Sequence, residues 1–139
     1  MERREIQAWL VVVERDVKAI RNNLYGPELY GPEPEPHMAA YHCQQAVEKL
    51  AKTLIVAAGT MPPKSHDIDS LVARLPTGHP MALRIAALAH LTAFVSAPRY
   101  PGAGIFDDPL PDLPVSEVAG WLAEIEALRT DIIRFLGMP

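Results

Sequence analysis

The chain has 139 residues, 49% of them apolar and 22% charged, with a formal net charge of -4. That balance excludes a disordered chain and bulk electrostatic binding to nucleic acid or anionic lipid, and no apolar run is long enough to cross a bilayer. The single cysteine, Cys43, excludes an internal disulfide and points to a reducing, cytoplasmic setting. The length fits one domain over residues 1–139.

Proline is the unusual residue, and nine of the 14 fall between Tyr25 and His37 or between Ala97 and Val115. Both stretches read as loops, because proline lacks the N–H of a helical turn and clashes with the turn before it. The apolar spacing between the breaks is helical. Ile6, Leu10, Val13, Val17, Ile20 and Leu24 step by four and three along a first helix. A second, from about His37 to Ala58, sets Cys43, Ala46, Val47, Leu50, Leu54 and Ala57 on one side and stops at Gly59. A third, short segment holds Ile68, Leu71, Val72 and Leu75, with Ser65 or Asp67 as N-cap.

The fourth helix is expected to start near Pro80, run through Ile85, Leu88, Leu91 and Val95, and end at Arg99-Tyr100. The fifth begins near Ser116-Glu117, carries Val118, Leu122, Ile125, Leu128, Ile132 and Phe135 or Leu136, and closes at Gly137. No segment alternates with period two. The expected fold is an all-α, antiparallel bundle of four to five helices, four long and one short.

The five histidines do not suggest a metal site: His37 and His42 are five apart, and helical ligand pairs need three or four. Ser65-His66-Asp67 reads as helix capping, since triad members converge from separate parts of a fold. Gly102-Ala103-Gly104 is not followed at once by a helix and is no phosphate loop. The second helix holds more. Gln45, Lys49 and Lys52 form one polar strip, either a solvated face with a Glu48–Lys52 ion pair or a surface for phosphate or a partner. Arg99-Tyr100 divides in the same way. The arginine either complements the helix dipole or grips phosphate, with the tyrosine free to stack on a base.

Taken together, three motifs in order resemble the HEPN family (the higher eukaryotes and prokaryotes nucleotide-binding domain). They are His42-Cys43-Gln44-Gln45-Ala46-Val47-Glu48-Lys49-Leu50-Ala51-Lys52, then His66-Asp67-Ile68 after Gly59, then Arg99-Tyr100-Pro101, all within residues 39–101. The resemblance implies a helical bundle that forms homodimers and is often encoded beside or fused to a nucleotidyltransferase domain, in some cases as a toxin–antitoxin pair. The ribonuclease branch of the family follows its arginine with a histidine after four to six residues. Tyr100 to Asp107 contain none. The expectation is therefore a non-catalytic member without cofactor or metal, binding a nucleotide, RNA or a nucleotidyltransferase partner. Its candidate ligand-binding residues are Arg99, Tyr100, Lys49, Lys52 and His66, and no catalytic residue is assigned. Two alternatives stand beside it: a ribonuclease using a non-standard base such as His66, and a plain helical interaction module.

Overall fold

The computed structural model describes residues 2–30, 33–95 and 112–139. Three long helices form its frame: α1 (Glu2–Tyr30), α2 (Pro36–Ala57) and α5 (Val115–Phe135). Between α2 and α5 lie two single-turn helices, α3 (Ile68–Val72) and α4 (Ala82–Ala86), and a 3-10 helix, Ala89–Phe94. Among the described residues there is no strand, and the all-α expectation holds.

The stripe read on α1 is the stripe that packs. Ile6, Leu10, Val13, Val17, Ile20 and Leu24 are all buried, as are Val118, Leu122, Ile125, Leu128 and Ile132 on α5. Contacts between the helices give the orientation. Asn23 of α1 meets Glu35 at the start of α2, while Asp16, earlier on α1, meets His42 and Lys49 further along α2; across α1 and α5, Glu14 and Arg21 reach Arg129 and Glu126. Each of α2 and α5 therefore runs antiparallel to α1. The helix α2 is the central element, with 14 of its 22 residues buried, among them Gln44, Glu48, Lys52 and Thr53. A helix enclosed on that many sides has no fully solvated face, and its polar residues must be satisfied by the protein. Cys43 lies in this core, where burial pushes its thiol up to about 12, out of the range of a reactive thiolate.

Both long C-termini that the sequence placed are closed by glycine. Gly59 has φ +91°, and the N–H groups of Gly59 and Thr60 bond to the carbonyls of Val56 and Ile55. Gly137, with φ +66°, repeats the pattern on Arg134, while Met138 bonds to Ile133. These paired bonds satisfy carbonyls that a helix end otherwise leaves open, and they need a residue at ease with positive φ.

Two expectations are corrected. The helix α1 does not stop at Tyr25 but continues past Pro27 to Tyr30. Proline at 27 cannot donate to the carbonyl of Asn23, and that carbonyl instead accepts the N–H of Glu35 at 2.8 Å, across the turn into α2. Pro36, at the first turn of α2, likewise belongs to a helix rather than to a loop. The fourth long helix is broken into α4 and the 3-10 helix, so among the described residues three helices are long and not four. The cause is visible in the core: Ile85, Leu88 and Leu91 are buried at a strict spacing of three. Three residues per turn keeps such a row in line on a 3-10 helix, whereas on an α-helix it drifts round the axis.

Candidate functional site

Polar residues on α2 meet two neighbours, α1 on one side and the segment before α3 on the other. They form two clusters of the same composition, each a buried carboxylate holding one lysine and one histidine. In the first, Asp16 of α1 is 7% exposed; its Oδ2 accepts from Lys49 Nζ at 2.7 Å and its Oδ1 lies 3.0 Å from His42 Nδ1. In the second, Glu48 is 3% exposed. Its Oε2 accepts from Lys52 Nζ at 3.0 Å, and its Oε1 meets Gln44 Nε2 at 3.0 Å and His66 Nδ1 at 2.9 Å.

Two opposing effects act on Glu48. Burial raises its proton affinity, but hydrogen bonds from Gln44, His66 and Lys52, with the Lys52 charge, outweigh burial and hold the carboxyl below its ordinary 4.5. An ionised carboxylate only accepts, so the Nδ1 atom of His66 carries the proton and donates. The Nε2 atom points away from that bond, and the ring is 62% exposed although the carboxylate beneath it is buried.

The backbone around His66 is pinned from three directions. Gln44 Nε2 donates to the His66 carbonyl at 3.0 Å, Asp67 N–H donates to Ser65 Oγ at 3.1 Å, and Ile68 N–H donates to Thr92 Oγ1 at 3.2 Å. Gln44 is fully buried, and its own carbonyl oxygen accepts from Gln45 Nε2. Asp67 occupies the N-cap position of α3, as the sequence suggested, but its carboxylate accepts from the Ser70 hydroxyl and caps no backbone N–H. The carboxylate that orients His66 is thus Glu48, eighteen residues upstream, and not the adjacent Asp67. Thr92 ties this segment to the 3-10 helix, which leads in sequence to Arg99 and Tyr100.

Of the five residues singled out from sequence, the structure brings together Lys52 and His66, both on Glu48. Lys49 lies one residue along α2, on Asp16. Arg99 and Tyr100 lie outside the described residues, as does Gly102-Ala103-Gly104. The Glu48–Lys52 ion pair expected on a solvated face exists, but it is buried, with side-chain exposures of 4% and 11%. The solvated reading of that face is therefore wrong. Sequence reasoning missed Asp16 and Gln44. The clue to Asp16 was its place on the α1 stripe, three residues after Val13 and four before Ile20. Among the described residues no group of three or more histidine, cysteine, aspartate or glutamate side chains could hold a metal ion. Among them, too, no helix is long and apolar enough to cross a membrane.

The fold and the polar seam define a class: an α-helical bundle whose central helix buries two carboxylates, each joined to a lysine and a histidine. The family model for the HEPN domain matches residues 7–120, most of the chain, and the chain belongs to the HEPN domain family. That is a family of nucleotide-binding or ribonuclease-type domains. No curated protein and no solved structure gives a significant match to the chain.

Proposed function

We propose that the chain is a non-catalytic HEPN protein that forms a homodimer and binds a nucleotide, or the end of a nucleic acid, beside His66. The observation that carries this reading is the His66 ring, open to solvent yet fixed from below by a buried, fully bonded carboxylate. A fixed polar ring presents a hydrogen bond without the entropic cost of ordering it on binding. Lys49 and Lys52 already hold Asp16 and Glu48, so they shape the polar cleft while their charges are largely neutralised. Phosphate recognition then falls to Arg99, whose planar fork suits a phosphate, and base stacking falls to Tyr100. The acidic balance of the chain suits a small ligand or a protein partner better than long RNA. A nucleotidyltransferase-domain protein, in a toxin–antitoxin-type pair, is the partner this reading favours.

Thermal unfolding of the purified protein with AMP, ATP and a short 5′-phosphorylated RNA tests the proposal. A ligand at one hundred times its Kd stabilises the native state by about 2.7 kcal/mol. The expected result is a rise in Tm with at least one of the three, lost in Arg99→Ala and reduced in His66→Ala. No ligand-dependent rise, or a rise indifferent to both substitutions, overturns the site and leaves a plain interaction module.

A second reading is favoured by the same contact. A histidine with Nδ1 on a carboxylate and Nε2 free is the arrangement of a general base, which a ribonuclease needs to activate a 2′-hydroxyl. Cleavage of RNA by the wild type that disappears in His66→Ala and Arg99→Ala supports that reading over the non-catalytic one.

A further inference from the structure

Away from the polar seam, α1 and α5 enclose a half-open groove of about 300 Å³, at the lower end of the range for small-molecule sites. Its apolar wall is Leu10, Val11, Ile133 and Met138, and Val11 is 48% exposed. Its rim is cationic. Arg15 and Lys18 border the groove, exposed, and make no ion pair or hydrogen bond among the described residues. Arg129 also lines it and pairs through Nη2 with Glu14 at 3.1 Å, so that pair is neutral and the rim keeps the two positive charges of Arg15 and Lys18. In a chain of net charge -4 this is a local reversal of sign above an apolar floor.

We propose that the groove between α1 and α5 is a binding site for a small amphipathic anion: an aliphatic chain on Leu10, Val11, Ile133 and Met138, with its carboxylate between Arg15 and Lys18. The lining contains no aromatic side chain, so it offers a nucleobase nothing to stack on, and the apolar walls suit a flexible aliphatic tail. The site is independent of the reading given for His66.

Binding of hexanoate, octanoate and decanoate followed by amide chemical shifts tests this, with decyltrimethylammonium and AMP as controls. Saturable binding is expected, with shifts centred on residues 10–18 and 129–138 and affinity rising by up to about fourfold per added methylene. The cationic amphiphile and AMP should not saturate those residues. Arg15→Gln/Lys18→Gln changes two exposed side chains that make no ion pair or hydrogen bond among the described residues, so the variant folds. It should weaken decanoate about tenfold. Val11→Ser should flatten the dependence on chain length. Equal binding of the cationic amphiphile, no loss in the double variant, or saturation by AMP in place of decanoate would each overturn the proposal.

Discussion

Replacing Glu48 by leucine removes the acceptor on which three donors converge, and the consequences differ for each. Gln44 keeps the His66 carbonyl and Gln45 as partners, and the His66 ring, 62% exposed, turns to water. Lys52 has neither recourse. Its side chain is 11% exposed, its 3.0 Å bond to Glu48 is its ion pair, and the ammonium is left nearly buried and unpaired. Breaking a buried pair from one side costs about 3–5 kcal/mol. The residual exposure of Lys52 puts this case at the lower end, about 3 kcal/mol. For a chain of this size that lowers Tm by on the order of 10 °C. The double variant Glu48→Leu/Lys52→Met removes both charges and keeps similar volume, and it should return to within about 1 kcal/mol of the wild type. Urea unfolding measures all three proteins, with an unchanged m-value as the check that the comparison is like for like. If Glu48→Leu alone lies within about 1 kcal/mol of the wild type, or if the double variant is no more stable than the single, the seam is not buried as described.

Three further outcomes follow from the same geometry. Neutral His66 should carry its proton on Nδ1, seen in long-range nitrogen–proton correlations, and Glu48→Leu should move it to Nε2, because the acceptor holding the Nδ1 tautomer is gone. The wild type should lose stability in acid in two stages. Burial holds His79 below its ordinary 6.5, where its Nδ1 accepts from the Met81 N–H; a folded pKa below the unfolded one gives stability that is full above 6.5 and lost as pH falls below it. His79→Asn should flatten the stability profile between about pH 7 and 5.5. Glu48, also depressed, contributes above its ordinary 4.5 and loses that contribution as pH falls further, a stage missing in Glu48→Leu. Finally, Gly59→Ala should cost about 1 kcal/mol in urea unfolding, since φ +91° strains any side chain there. Gly120→Ala, in the second turn of α5 and facing open space, should gain roughly 0.5–1 kcal/mol.

What the sequence made legible was whatever depends on one element at a time. The stripes of α1 and α5 and the glycine stops at Gly59 and Gly137 each need only the period of a helix or the freedom of one residue, and each stands in the structure as read. The turn at Pro27 was not of this kind. That proline breaks a helix only if the carbonyl of Asn23 goes unsatisfied, and the replacement donor, Glu35, lies beyond the turn. The split of the fourth helix was not of this kind either: Ile85, Leu88, Leu91 and Val95 step by three, three and four, which an α-helix also accommodates, and only the burial of the first three sets the row apart.

The seam shows why charge patterns mislead when a helix is central. Gln44 and Glu48 look like surface residues by type, yet their row continues along α2 into Ala51 and Ile55, both buried. A row that ends in the core does not usually begin in water. Asp16, a carboxylate set within an apolar stripe on α1, carries the same message from the other side. An acid placed on a packing surface must find a cation there or be neutralised, so each such acid forecasts a partner on the facing helix. A second row on α2, His42 and Lys49, seven residues apart, meets Asp16. Read as a pair of facing surfaces, the two helices make Lys49 the counter-charge of a buried aspartate, which weakens its claim as a phosphate ligand and leaves that claim strongest at Arg99.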